Sequence, residues 1–251
     1  MPATTSITRI TTKGPNEAEL EAWPVMDPAG LESGAPVQKG ILYDEDPAPD
    51  YSVGIWECTA FVDRPGPYPV DEFMLLLEGT VEMAMPDGTS VTVHPGEAFV
   101  IPKGLECQWK MPGTVRKIFM ILDGTEPGTG SGAAQNAGLG RITVPPLGQP
   151  VHRDVTPPAT LTTREVYFVN HDSRMTVHID TFHDSLHGPA PQARRHLIHV
   201  LSGEVRTDGA SDEAFGPGDS LYLMPGSGLS WRVAAGTRLL CASCDLGPAP
   251  P

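Results

Sequence analysis

An internal repeat runs through this chain and limits the folds open to it. The segment EFMLLLEGTV at 72–81 matches HLIHVLSGEV at 196–205, and PGEAFVIP at 95–102 matches PGDSLYLMP at 217–225. Trp109 then matches Trp231, and Gly113-Thr114 matches Gly236-Thr237. The four offsets are 124, 122, 122 and 123 residues. So constant a spacing implies one supersecondary plan used twice. Both copies read as short strands. The segments 89–94 and 220–224 are β-rich, and Gly79, Gly203 and the Pro-Gly pairs at 95 and 217 punctuate them as turns. Leu75, Leu76 and Leu77 are apolar without alternation, which predicts a strand buried on both faces, one toward an interior and one against the sister repeat or another subunit.

Composition agrees with many short strands: 27 Gly and 27 Pro leave little room for long helices, and 39% hydrophobic residues suffice for two cores. The one helical turn expected covers 16–22, with Glu17, Glu19 and Glu21 near its start. A net charge of −14 disfavours nucleic acid and anionic membranes as partners. No apolar run is long enough to span a bilayer, and 1–12 lacks the apolar core of a secretory signal, so a cytoplasmic protein is expected. Cys58, Cys107, Cys241 and Cys244 are too few for a disulfide framework, and Cys241 and Cys244 read as ordinary thiols on a C-terminal strand. The expected division is an N-terminal arm plus first barrel at 1–123, a flexible Gly/Ser/Ala-rich linker at 124–140, and a second barrel at 141–251.

The pattern Glu-x6-Gly, then Pro-Gly-[Asp/Glu], a Pro about six residues on and a later Trp resembles the cupin superfamily. Ser33-Gly34, GIWECT at 54–59, Asp71-Glu72-Phe73, Leu77-Glu78-Gly79 and Arg116-Lys117 make the first repeat similar to the ureidoglycine aminohydrolase-like branch. The resemblance covers about 30–122 and, more weakly, 140–245. It implies an all-β chain of two tandem cupin barrels, that is, double-stranded β-helix or jelly-roll barrels. Cupins commonly bind a metal through His-x-His, a following Glu and a later His. At those positions the first repeat carries Gly66, Tyr68, Glu72 and Cys107. The second carries Ala190, Gln192, His196 and either Ser230 or Trp231.

Seven of the eight histidines nevertheless fall in the second half. The two-residue period of a strand sorts them. If His196 faces the interior, Ile198, Arg194 and Gln192 share its face, while His199 points away. His178 and Asp180 share a face of an earlier strand, and His183 and His187 fall in a loop at the barrel mouth. One divalent transition metal in the second barrel, on His196, His178 and Gln192, is therefore an expected cofactor, with a metal-free barrel as the alternative. A set drawn from His178, His183, His187 and His196 is a further arrangement.

Catalysis without a metal falls to Glu72 and His196 as acid–base groups and Tyr68 as a donor to a developing oxyanion. Arg194, Gln192, Trp109, Trp231 and Cys107 are the expected substrate contacts, with Arg194 as an anion clamp. These readings point to an enzyme that isomerises, cyclises, eliminates or hydrolyses a polar small molecule. The alternative is a non-catalytic ligand-binding double cupin, and a metal-dependent dioxygenase is a third reading. A homodimer is the expected assembly.

Overall fold

The computed structural model describes residues 7–14, 17–47, 50–123, 162–191, 193–208, 212–226 and 228–247, and the backbone of 152–154. The expected linker at 124–140 and Gln192 lie outside the described residues. Among the described residues there is no α-helix, and helical structure is confined to short 3-10 turns such as Pro28–Gly30. The expected helical turn at 16–22 is instead partly strand: Glu21–Ala22 pairs with Gln38–Asp46, whose edge binds those two residues more firmly than an isolated turn would hold them.

The chain divides into two compact units. One contains Thr12–Gly148 with Asn170–Asp172, the other Met1–Thr11, Gln149–Val169 and Ser173–Pro251. In the first unit a six-stranded antiparallel sheet runs Ala98–Ile101, Asp71–Glu78, Val115–Leu122, Tyr51–Cys58, Gln38–Asp46, Glu21–Ala22. A second sheet runs Ser90–Val93, Val81–Ala84, Glu106–Met111, Phe61–Asp63, Leu31–Gly34. Met74, Leu76, Val81, Met83, Phe99, Ile101, Trp109 and Phe119 from these sheets form one buried cluster. The alternation that packs it leaves Phe73 and Leu75 on the opposite face, where they are buried as well.

The second unit repeats this plan. Its larger sheet runs Ile7–Ile10, Ser220–Leu223, Arg195–Ser202, Arg238–Cys244, Met175–Phe182, Thr162–Val169, His152–Asp154. The smaller one runs Leu186–Pro189, Ser230–Val233, Val205–Asp208, Ala214–Phe215. Ile198, Val200, Leu221, Leu223, Trp231 and Leu239 are buried together between them. The N-terminal arm differs from expectation. Ile7–Ile10 is the edge strand of this unit, paired with Ser220–Leu223, and Ile7 and Ile10 are buried by that pairing.

The repeat's paired landmarks have a steric cause. Gly79 and Gly203 both have φ of +81°. A Cβ at Gly79 would meet the Thr114 carbonyl oxygen at 2.2 Å, and one at Gly203 would meet Thr237 Oγ1 at 2.3 Å. Both the left-handed backbone and the close approach of the Gly-Thr turn require glycine there.

Candidate functional site

The inner face of the first barrel holds a cavity of about 200 Å3. Strand alternation aims Lys117, Phe119 and Ile121 into it from Val115–Leu122, Trp56 from Tyr51–Cys58, and Glu72 from Asp71–Glu78. Trp109 and Asp63 come from the smaller sheet, and Tyr68 from the segment preceding Glu72.

A buried polar group forms the functional end of this cavity. Lys117 Nζ lies 2.8 Å from Glu72 Oε1, with 8% and 4% of the two side chains exposed. The Tyr68 hydroxyl donates to the other oxygen, Glu72 Oε2. The ammonium lies over two rings, 4.6 Å from the centroid of Trp56 and 4.8 Å from that of Trp109, and 3.1 Å from Met74 Sδ. Withdrawing both charges from water is costly, and the additional donor and the two aromatic faces offset that cost. Burial, then the neighbouring Glu72, pushes the Tyr68 phenol well above its usual range, so it remains a donor. Burial also raises the Asp63 carboxyl to about 6, although Lys117 works in the opposite direction.

The structure therefore brings Glu72, Tyr68 and Trp109 together. Cys107 is buried in the adjoining core and is not among the cavity's lining residues. Burial and then Asp63 raise its thiol to about 11, so it is held in the unreactive form. Lys117, Asp63 and Trp56 were not singled out as site residues from sequence. A lysine on the strand face it shares with Val115, Phe119 and Ile121 was the available signal for Lys117.

These residues do not fit a divalent metal. Both oxygens of Glu72 are engaged, one by an ammonium and one by a phenol. The Lys117 cation stands where a metal would meet the carboxylate, and the remaining ligand positions hold Gly66, Tyr68 and Cys107, the last outside the cavity lining.

The second inner face is built differently. His196 shares it with Ile198 and Val200, and His196 Nδ1 lies 2.8 Å from Ser243 Oγ. Burial, then the charges of His178, Arg164 and Arg194, lowers the His196 pKa to about 4. His178 is buried, and its pKa is lowered by that burial. His178 Nδ1 has no hydrogen-bond partner among the described residues. Asp180 accepts from Arg164 Nε at 2.7 Å and Nη2 at 2.8 Å. Burial pushes this carboxyl up, but Arg164 and His178 together outweigh it and hold it below the usual range.

Several expectations for this half are corrected. Arg194 is not an interior clamp: its side chain is 36% exposed, and its Nε is 4.0 Å from Asp245. The strand begins only at Arg195, so alternation does not extend back to it, and Arg164 is the arginine that meets Asp180. His183 and His187 are exposed, contacting Thr163 at 2.7 Å and Asp208 at 3.0 Å, and they do not join the interior histidines. His199 does lie on the other face, as alternation implied, 2.9 Å from Ser220 Oγ. Trp231 is a core residue. The donor atoms that converge are those of His178, Asp180 and Cys241, all buried and within 4.8 Å of one another. They differ from the expected set of His196, His178 and Gln192.

Residues 46–119 match the family described as the EutQ-like cupin domain. No curated protein sequence matches the chain. A protein of unknown function from Pseudomonas syringae pv. tomato superposes with a TM-score of 0.62 at 17% identity, covering 96% of this chain and 100% of its own. A candidate dioxygenase from Nostoc punctiforme gives 0.61 at 13%, covering 100% of this chain and 89% of its own. Streptomyces albus HEPD, with 2-hydroxyethylphosphonate and Fe(II) bound, gives 0.52 at 12%, covering 100% and 78%. At these identities the likeness establishes the fold: two cupin barrels in tandem.

Proposed function

Taking the chain as a two-barrel protein of the cupin superfamily, we propose that it is a small-molecule enzyme whose acid–base chemistry resides in the first lumen. The carrying observation is the Lys117–Glu72–Tyr68 group at the polar end of a cavity otherwise walled by Trp23, Trp56, Phe61, Trp109 and Phe119. Such walls suit a flat, unsaturated or aromatic body, and the polar end suits a carbonyl or hydroxyl group. Glu72 takes or returns a proton, Tyr68 donates to oxygen as charge develops there, and Asp63, raised to about 6, exchanges protons near neutrality. The reaction class this supports is proton transfer next to a carbonyl, as in isomerisation or elimination.

Phenylpyruvate, phenylacetaldehyde and pyruvate, each incubated with the protein in D2O, test the reading through loss of the α-C–H signal by NMR. Exchange above the buffer rate is expected with an aryl member, falling about 100-fold in Glu72→Gln. Exchange indistinguishable from buffer with all three, or unchanged in Glu72→Gln, would remove the reading in favour of a non-catalytic binding protein.

A second reading concerns the other lumen, where His178, Asp180 and Cys241 supply nitrogen, oxygen and sulfur donors suited to a divalent transition metal. The bare, buried His178 Nδ1 favours it. When bound, such an ion supplies Lewis acidity. Arg164 would orient Asp180, and Ser243 would hold His196 beside the ligands. Titration with Co(II) is expected to produce thiolate-to-cobalt absorption that Cys241→Ser abolishes. A flat titration counts against this site.

A further inference from the structure

We propose that Lys117 is a covalent nucleophile whose ε-amine forms an imine with an aldehyde or ketone in the first lumen. This deepens the reading of that lumen as an active site and rests on it. The sequence has five lysines, and Lys117 is the one that is buried; Lys13, Lys39, Lys103 and Lys110 lie outside the cavity lining. Its side chain is 8% exposed and Nζ lies against the faces of Trp56 and Trp109, and desolvation of this kind is a setting in which lysine acts as a nucleophile rather than as a solvated cation. The side chain lines the cavity, which sets it beside any carbonyl compound held there.

The neighbours of Nζ match the steps that imine formation requires. Glu72 Oε1, 2.8 Å away, receives a proton from the ammonium along an existing hydrogen bond and leaves a neutral amine. The amine adds to the carbonyl carbon, forming the C–N bond as the C=O π bond opens, and the oxygen takes back the proton held by Glu72, giving a carbinolamine protonated on nitrogen. The nitrogen gives up a second proton to the carboxylate of Asp63, which lines the cavity from the smaller sheet, and Asp63 then protonates the departing oxygen. The C–O bond breaks, water leaves, and the C=N bond forms. Two of the three ammonium protons end in that water, one passing through Glu72 and one through Asp63. No oxidant or reductant is consumed.

Net charge is unchanged: one ammonium enters the sequence and one iminium leaves it, with the positive charge on the same nitrogen. The Glu72 carboxylate and the rings of Trp56 and Trp109 that hold the ammonium therefore also hold the iminium. The iminium acidifies the adjacent C–H, and Glu72 is positioned to accept that proton. A lysine present only to neutralise Glu72 would not need to line an open cavity.

Reduction in place tests this on the full chain. The protein is mixed with phenylacetaldehyde, phenylpyruvate or pyruvate plus sodium cyanoborohydride, and peptide mass analysis locates the resulting secondary amine. Lys117 is expected to be labelled at least about tenfold faster than the other four lysines, because the lumen raises the local concentration of the carbonyl. Glu72→Gln should slow that labelling, and Lys117→Arg, which keeps the charge and removes the reactive amine, should abolish it. Labelling confined to the other lysines overturns the inference. If α-proton exchange persists in Lys117→Arg at the wild-type rate, the imine is excluded while proton transfer stands. If wild type gives neither exchange nor adduct, both fail.

Discussion

The two inner faces share a backbone plan and differ in what fills it. Pairing registers make positions comparable: Lys117 opposes Leu76 and Trp56, and Leu239 opposes Val200 and Asp180. Ile121 opposes Glu72, and Ser243 opposes His196. At the place of the Lys117 cation the second barrel carries a leucine, and at the place of Trp56 it carries the carboxylate Asp180. One interior keeps an ion pair under aromatic walls beside open space; the other packs Leu239, Ile198, Leu221 and Trp231 into a core and keeps its polar groups in the His178–Asp180–Cys241 cluster. A duplicated fold thus conserves the positions that look inward and leaves their chemistry free to diverge.

The largest test of this contrast is removal of the first lumen's cation. Lys117→Met leaves Glu72 buried without its countercharge and should cost about 3–5 kcal/mol in urea unfolding. The double variant Lys117→Met/Glu72→Leu should recover most of that loss, because apolar side chains then fill the site as Leu239 does in the other barrel. Recovery would mark the ion pair as retained for chemistry rather than for stability. A single variant as stable as wild type would mean that the carboxylate is reached by water, and the contrast between the interiors would be lost.

Next in size is the acid response of the second interior. His196 has a folded pKa of about 4 against an ordinary 6.5. Its contribution to stability is therefore complete above about pH 6.5 and is lost as pH falls through 4. Between pH 7 and pH 4.5 the loss is on the order of 2–3 kcal/mol. His196→Gln should flatten that part of the stability profile measured from urea midpoints. An unchanged acid limb in the variant would assign the loss to other groups, with His178, also lowered by burial, the first to consider.

How far the sequence disclosed these interiors follows from the physics of each signal. Two barrels were legible because Gly79 and Gly203 answer a steric demand that only glycine meets. The turn of Glu72 toward the cavity was legible through the family resemblance, which puts an inward carboxylate at that position. Alternation failed at Arg194, which lies before its strand begins. It also gave no warning that Ile7–Ile10 would pair with Ser220–Leu223, since partners that remote leave no local pattern. Lys117 was read as part of a fold signature in Arg116-Lys117. Its function depends on strands that lie far apart in sequence and meet only in the folded barrel: Glu72 is 45 residues away. The His178–Asp180–Cys241 cluster was half visible, as His178 with Asp180. Cys241 joins through the pairing of Met175–Phe182 with Arg238–Cys244.

The smallest effect discriminates most finely between a site and a core, because its sign is the test. The Asp63 carboxyl is raised to about 6 from an ordinary 3.8, so the folded state holds its proton more tightly than the unfolded chain does. The favourable contribution of the protonated group is complete below about pH 3.8 and is lost as pH rises through 6. At pH 7 the ionised group is a burden on the fold. Discounted for its partial exposure to solvent, that burden is on the order of 1 kcal/mol. Asp63→Asn should therefore stabilise the protein by about this amount at pH 7 and leave it unchanged near pH 4. The same variant should slow labelling of Lys117 by carbonyl compounds, since the amide cannot protonate the departing oxygen. Gain of stability with loss of reactivity is expected of a residue kept for its chemistry. Loss of both would make Asp63 a structural carboxylate, and the first interior would then resemble the second more closely than their side chains suggest.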